Sequence, residues 1–443
     1  MAEAEEINKD GKIFMTDARQ TAFHALSKIE RDNSYSNLLL PEIAAAEDIS
    51  RRDMLLAYRI VKTVLERKIT TDYNLALYLT QPLKKLKPQV LTILRMGACQ
   101  LLFMDKIPAS AAINESVKLS KKNGCAFASG LINAVLRKVS ANGLVLPEKN
   151  DSIEYLSVRY SFPEYICKKF VDCYGFEDAE KIMASSLGES NIYIRKNSLK
   201  NEELTFECEK TQFPDNCFVM KNDGDMTKLP EFAKGLFHVQ DLSSQLCCHV
   251  LSPEKGDTVI DVCAAPGGKT MTMAQMMGNE GKIISCDIHE HKLKLINDTA
   301  SRLGIDIIET RLRDGADKNA CLPVADRILC DVPCSGFGVT GKKPEIKYKS
   351  QSETENLPAL QLEILLNSAQ YLKKGGKLVY STCTLLAEEN SQVCKKFLEE
   401  RPDFRAVSID SDIKGKRDGE AVTVLPFDYD CDGFFIAAFE RTG

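Results

Sequence analysis

Between Thr258 and Ser381 the chain alternates short β-branched runs with segments of helical period, and this constrains its fold more than any other feature. Thr258-Val-Ile-Asp-Val-Cys263, Lys282–Asp287, Ile305–Thr310, Arg327–Asp331 and Gly376–Ser381 read as strands. Met271–Met277, His289–Leu303 and Leu357–Leu372 read as the helices between them, two of them stopped by Gly278 and Gly304. Alternation of this kind predicts a Rossmann-like α/β domain over residues 236–443, a parallel sheet with helices on both faces. Ligands of such sheets bind beyond the carboxyl ends of the strands, so those ends are where function is to be sought.

The first strand end runs Asp261-Val-Cys-Ala-Ala-Pro-Gly-Gly-Lys-Thr270. Small residues and glycines let a ligand approach the backbone, and the next helix opens there with exposed N–H groups. A P-loop would need glycine where Cys263 stands, and the dinucleotide G-x-G-x-x-G spacing is absent. Asp287 ends the second strand. It suits the two hydroxyls of a ribose, or equally the N-terminus of the helix beginning near His289; the preceding turn favours the ribose. Asp314, in Arg313-Asp314-Gly315, suits an adenine amino group or a plain turn. The fourth strand ends Asp331-Val-Pro-Cys334-Ser-Gly336 and the fifth Tyr380-Ser-Thr-Cys383-Thr384, which brings two cysteines to the same functional edge. A thiolate is a strong nucleophile where local donors or positive charge stabilise it. Spacing alone does not say which cysteine attacks.

Residues 14–145 read as an all-α domain, with Ala18–Ile29, Met54–Leu65, Gln89–Phe103, Ala111–Leu119 and Ala126–Val139 at helical period. Net charge over the whole chain is −5, yet residues 51–150 hold 17 Lys and Arg against 6 Asp and Glu. Concentrated positive charge suits a phosphate-bearing partner, although a solvated helical face has the same composition. Residues 151–235 are mixed; Asn191–Asn197 alternates like a strand, and a small connecting α+β domain is expected. The 16 cysteines contain no C-x-x-C pair, so a zinc or thioredoxin-like site is not expected. Met1–Asp10 is acidic and lacks the apolar stretch of a secretory signal, and no run is long enough to span a bilayer. A cytoplasmic protein without a membrane partner is the expectation.

Jointly, Asp261–Thr270, Asp287, Asp314, Asp331-Val-Pro-Cys334-Ser-Gly336, Ser381-Thr-Cys383-Thr, Asp432-Gly433-Phe434-Phe435 and the leading Phe237-His-Val-Gln-Asp-Leu-Ser-Ser-Gln245 resemble the Sun/Fmu (RsmB-type) branch of the bacterial RNA 5-methylcytosine methyltransferases. Ile107-Pro-Ala-Ser-Ala-Ala-Ile-Asn-Glu-Ser-Val117 and Gly130–Lys138 resemble NusB, a helical RNA-binding domain, which directs the resemblance to 16S ribosomal RNA. The resemblance implies S-adenosylmethionine as cofactor. Cys263, Ala264, Ala265, Pro266, Gly267, Gly268 and Lys269 would hold its methionine part, Asp287 its ribose and Asp314 its adenine, with Asp331 also at the cofactor. It further implies Cys383 as nucleophile on cytosine C6, Cys334 in product release, Asp331 on the cytosine edge and Lys269 close to cytosine or the cofactor carboxylate. Small-subunit ribosomal RNA is the implied partner, with no DNA and no metal, and the chain is expected to act as a monomer. Transfer RNA methylation keeps the same chemistry with another substrate. A non-catalytic ribosome-assembly or antitermination factor is a reading from a different class, against which Cys334, Cys383 and Asp331 all stand.

Overall fold

The computed structural model describes residues 17–32, 49–221, 226–318 and 321–443; Met1–Asp10 lies outside them. The described residues form two compact units, one from those up to 187 with Thr340–Tyr348, the other from those of 188–339 with 349–443.

The first unit is helical: α1 (Ala18–Asp32), α2 (Arg51–Glu66), α3 (Lys68–Ala76), α4 (Pro88–Phe103), α5 (Ala109–Lys122), α6 (Ser129–Asn142), α7 (Ile153–Tyr160), α8 (Glu164–Tyr174) and α9 (Phe176–Ala184). Local signals set the ends. Ser50 caps α2 by accepting the Asp53 N–H at 3.1 Å, Pro88 opens α4, and Gly143 closes α6 at φ 67°. The apolar stripe expected on α1, Ala18, Ala22, Leu26 and Ile29, is buried. It packs in one core with Ala57, Val61, Ile93 and Leu136. Gly97 permits α4 to lie close to α6, since a Cβ there would meet Leu136 Cδ1 at 2.5 Å. Arg95 on α4 is nearly buried and is neutralised from two helices, by Glu30 of α1 and by a bidentate bond to Asp72 of α3 with both contacts at 2.7 Å.

The second unit contains two sheets. An antiparallel one pairs β1 (Tyr193–Lys196), β2 (Cys208–Lys210), β3 (Cys217–Met220) and β4 (Phe237–Val239) in the order β2-β3-β1-β4. The larger sheet begins with β5 (Thr258–Asp261), β6 (Lys282–Asp287), β7 (Ile308–Leu312), β8 (Ala325–Asp331) and β9 (Leu372–Thr382), in the order β7-β6-β5-β8-β9. All pairings within this run are parallel, as expected from the sequence. Helices α10 (Leu242–Leu251), α11 (Gly268–Met276), α12 (Glu290–Leu303), α13 (Leu357–Ala369) and α14 (Ser391–Glu400) accompany it. The sheet is mixed, however: β10 (Phe404–Val407), β11 (Lys416–Asp418), β12 (Ala421–Val424) and β13 (Phe434–Arg441) add antiparallel pairings beyond β9. A two-residue turn with Gly419 at φ 58° joins β11 to β12.

The strand expected over Ile305–Thr310 starts three residues later. The Ile305 N–H is taken by Ala300 O at 2.9 Å in the C-cap of α12, so it is not available to the ladder. The segment 151–235, read as one connecting domain, divides: its helices α7–α9 group with the helical unit and its strands with the sheet unit. Thr340–Tyr348, far off in sequence, also belongs to the helical unit. There Tyr348 OH donates to Leu65 O at 2.6 Å, and the Lys347 ammonium lies buried against Glu66 O and Tyr160 O, 3.3 Å from each.

Candidate active site

The chain leaves β5 towards β6 on one side and returns to β8 on the other, so a topological switch point falls between β5 and β8. A cavity of about 190 Å³ opens there, lined by Gln240, Ser244, Asp261, Cys263, Lys269 and Asp331 together with Ala264, Ala265, Pro266 and Gly268. The turn after β5 needs glycine at one position. Gly267 sits at φ 103°, and a Cβ on it would stand 3.1 Å from Ile296. Helix α11 starts at once with Gly268, so its first N–H groups face this region.

Electrostatics organise the cavity. Lys269 Nζ donates to Asp331 Oδ2 at 2.7 Å and to Ser244 Oγ at 3.3 Å, and lies 5.0 Å from the centre of the Phe434 ring. Burial alone would lower the Lys269 pKa; the Asp331 carboxylate outweighs it and holds the ammonium above the usual lysine range. Ser381 Oγ on β9 donates to the other Asp331 oxygen at 2.9 Å. Asp261 is buried; Thr270 donates to its Oδ2 at 2.7 Å, while Oδ1 has no hydrogen-bond partner. Burial, with Asp331 and Asp287 nearby, pushes its carboxyl up to about 7. Gln240 accepts from Thr272 Oγ1 through its carbonyl oxygen, which fixes the amide, and its Nε2 also lacks a partner.

Cys334, after β8, and Cys383, after β9, bring their sulfurs to 3.1 Å, and both are partly exposed. The two thiols share a hydrogen bond. The bond from Cys334 lowers the Cys383 pKa, while the same bond, with burial, raises Cys334 well above the ordinary thiol value. The pair is held from behind. Ser335 N and Gln361 Nε2 both donate to Glu389 Oε2, at 2.9 and 2.8 Å, and Gln361 also donates to Pro333 O at 2.9 Å. On the other side Asn390 Nδ2 donates to Thr384 O at 3.0 Å and Thr382 Oγ1 to Asn390 Oδ1 at 2.6 Å. Gly338 N–H donates to Cys383 O and Gly433 N–H to Gly338 O, both at 2.9 Å.

The fold thus gathers Cys263–Lys269 and Asp331 around one cavity and sets Cys334 against Cys383. Asp287 and Asp314 are not among that cavity's lining residues. Asp287 ends β6, almost buried, and accepts the His289 N–H at 2.9 Å; Asp314 is exposed and accepts the Ala316 N–H at 2.9 Å. Glu389, Gln361 and Gly338 carry no expectation from the sequence, and Asp261, Ser244 and Ser381 stand there only within longer strings, without a role of their own. Gln240 and Gly433 lie in strings that carried the family resemblance, but strings alone do not say which member faces the cavity. Among the described residues no group of His, Cys, Asp and Glu is arranged to hold a metal ion, and no helix is long and apolar enough to cross a membrane.

Comparison with known proteins follows this geometry. The family described as 16S rRNA methyltransferase RsmB/F matches residues 248–440, and the NusB family matches residues 16–141. A Bacillus subtilis protein named "Probable ribosomal RNA small subunit methyltransferase B" is 36% identical, covering 97% of this chain and 99% of its own length. The Vibrio cholerae ribosomal RNA small subunit methyltransferase B is 30% identical over 97% of this chain and 98% of its own. Among solved structures, PH0851 superposes with a TM-score of 0.80 at 24% identity, covering 96% of this chain and 98% of its own. NSun6 from Pyrococcus horikoshii with SFG gives 0.59 at 22% identity, covering 64% of this chain and 99% of its own. At these identities the two structures establish the fold.

Proposed function

Because this chain belongs to the RsmB/F family of S-adenosylmethionine-dependent small-subunit ribosomal RNA methyltransferases, we propose that it methylates C5 of a specific cytosine in 16S ribosomal RNA, in the cytoplasm, through a covalent bond to Cys383. The observation that carries this reading is the Cys334–Cys383 contact of 3.1 Å beside the Lys269–Asp331 pair.

The residues present fit S-adenosylmethionine. Gly268 brings bare backbone to the cavity lining, Asp287 ends the adjacent strand, and Asp261 has an unpartnered oxygen. When bound, the cofactor supplies an electrophilic methyl group. In this reading backbone groups from Cys263 to Lys269 hold its methionine part, Asp287 its ribose, and Asp314 its adenine. A Pyrococcus horikoshii neighbour of the same fold was solved with SFG.

Cytosine C5 is too weak a nucleophile to take a methyl group unaided. The Cys383 thiolate adds to C6 and forms an S–C6 bond, and the displaced π electrons make C5 enamine-like. C5 then accepts the methyl group. Loss of the C5 proton re-forms the C5–C6 double bond and expels the thiolate. The hydrogen bond from Cys334 stabilises Cys383 as the anion, both as attacking and as leaving group. The family resemblance assigns the attack to Cys383 and product release to Cys334, and the 3.1 Å contact between the sulfurs lets each thiol stabilise the other's anion. Asp331, fixed by Lys269 and Ser381, binds the cytosine edge. The target base must leave any helical stack to reach these groups.

The test is methyl transfer from labelled S-adenosylmethionine to unmodified small-subunit ribosomal RNA, with transfer RNA alongside and the product base identified. Label as 5-methylcytosine in the ribosomal RNA is the expected result. Cys383→Ala abolishes transfer and leaves cofactor binding intact; Cys334→Ala accumulates a protein–RNA adduct that survives a denaturing gel. An adduct formed by Cys383→Ala instead would reverse the two roles.

A further inference from the structure

The chemistry proposed for Cys334 and Cys383 uses both as reduced thiols, and no step of it forms a bond between them. Yet their sulfurs stand only 3.1 Å apart. β8 and β9 are adjacent parallel strands in which Asp331 is paired with Ser381, so the two cysteines follow on neighbouring strand ends. The residues next to them are tied together as well. The Ser335 and Thr384 hydroxyls share a hydrogen bond of 2.7 Å, and Gly338 N–H donates to Cys383 O at 2.9 Å. Two loops 49 residues apart in sequence are thus joined beside the sulfurs. A disulfide is about 2.05 Å long, so bonding the pair brings the sulfurs closer by only about 1 Å.

Touching thiols make an oxidation site only if an oxidant reaches them and one sulfur ionises. Cys334 and Cys383 are both partly exposed, whereas Cys247, Cys248 and Cys330 of the same unit are buried. Burial pushes the Cys247 and Cys330 thiols up to about 12, which keeps them protonated and inert. At the pair, the hydrogen bond between the thiols lowers the Cys383 pKa, and the Lys269 ammonium acts in the same direction against burial and Asp331. Cys321 is exposed but has no thiol partner among the described residues, so it can be oxidised only singly.

We propose that Cys334 and Cys383 form a reversible oxidation site, at which hydrogen peroxide joins them in a disulfide that switches methyl transfer off and a thiol reductant switches it on again. This rests on the reading of Cys383 as the nucleophile. First, a thiolate of the pair attacks one peroxide oxygen. An S–O bond forms, the O–O bond breaks, and the departing hydroxide takes up the proton that the thiol released. The second sulfur then attacks the sulfenic acid. An S–S bond forms, the S–O bond breaks, and the hydroxide leaves as water with the second thiol's proton. The two thiols together lose two electrons and two protons, and one peroxide becomes two waters. The disulfide leaves no thiolate for cytosine C6. It also stops Cys383 short of the sulfinic and sulfonic acids, from which a thiol reductant does not recover it.

The test uses the full-length chain, reduced, freed of reductant and exposed to hydrogen peroxide. Samples are alkylated, digested without reduction and mapped by mass spectrometry, and methyl transfer to unmodified small-subunit ribosomal RNA is measured alongside. The expected product is the Cys334 peptide joined to the Cys383 peptide. Transfer is lost in proportion to the fraction of chain so linked, and dithiothreitol restores it. Cys334→Ser, its fold checked by circular dichroism, supplies a second measurement. Without a partner thiol the same exposure carries Cys383 to the sulfinic acid, and its peptide keeps the two added oxygens after dithiothreitol. In the unsubstituted chain, Cys383 linked to Cys321, carried to the sulfinic acid or left free while activity is lost would overturn the site. A linked pair that still transfers methyl groups at the parent rate would overturn the switch. Failure of the underlying reading registers separately: the reduced chain would then transfer no methyl group to any RNA and the switch would fall with it, whereas failure of the site alone leaves the reduced chain active.

Discussion

A single methyl group placed at Gly338 tests whether backbone geometry holds Cys383 in register. A Cβ at this position would stand 2.0 Å from Gly433 O and 2.8 Å from Cys383 O. Carbon and carbonyl oxygen approach no closer than about 3.3 Å even in favourable contacts, so Gly338→Ala forces more than about 1 Å of separation. Neither neighbour can rotate away, because both are backbone atoms. Gly338 is also bonded to both segments, donating its N–H to Cys383 O and accepting from Gly433 N–H. The displacement therefore passes into the loop that carries the nucleophile. A misplacement of about 1 Å costs on the order of 100-fold in rate where reaction depends on alignment. We expect kcat to fall about 100-fold at saturating RNA and cofactor, with cofactor affinity unchanged, since Cys263–Lys269 lies elsewhere. Gly375→Ala is the control. It sits at φ 78° with nothing within 4 Å of its Cβ, so it costs about 1–2 kcal/mol of backbone strain and leaves kcat alone. The assay is the initial rate of labelled methyl transfer, with thermal unfolding followed for both variants. A Gly338→Ala enzyme within threefold of the parent kcat would refute the claim that this contact positions Cys383.

Asp331→Asn leaves the Lys269 ammonium, whose side chain is 14% exposed, without its carboxylate. Because the pair is only partly buried, the stability loss is set at about 2 kcal/mol, below the 3–5 kcal/mol of a fully buried pair, with a rate loss of at least about 100-fold. Denaturant midpoints and initial rates check both, and an unchanged rate would remove Asp331 from the mechanism. Cys334→Ala removes the thiol partner of Cys383, so the pH midpoint for alkylation of Cys383 by iodoacetamide shifts upward; mass spectrometry of the Cys383 peptide reads this directly, and an unmoved midpoint would dissolve the proposed coupling. In the helical unit, burial lowers Lys347 to about 7 despite the neighbouring Glu66. The unfolded chain therefore binds the extra proton between about pH 7 and the usual lysine range, and stability rises with pH across that window. Lys347→Met flattens this dependence in urea unfolding at pH 7 and pH 9, and an equal slope in parent and variant would show that Lys347 does not titrate there.

Local signals in the sequence located most elements and pointed to the strand ends as the candidate site. Period-2 and helical-period runs located the parallel strands, and Gly278 and Gly304 marked helix ends because positive φ there is a local requirement. Asp261–Thr270, Asp331–Gly336 and Ser381–Thr384 were legible because ligand sites on such sheets fall at strand ends, whatever surrounds them. What depended on contacts distant in sequence was not legible. Ile305 reads as strand, but its N–H belongs to the end of α12. Residues 151–235 read as one domain, yet the chain divides them between two compact units, and Lys347 finds its burial among helices far upstream. Composition announces a basic helical region without saying that Lys118, Lys121 and Arg137 line one cleft. Spacing brings Cys334 and Cys383 to one edge, but only the fold closes their sulfurs to 3.1 Å and sets Glu389, Gln361 and Gly338 behind them. Periodicity and turn chemistry act over a few residues and are written locally; the contact between the two thiols, and what holds it, is decided by packing between segments about fifty residues apart.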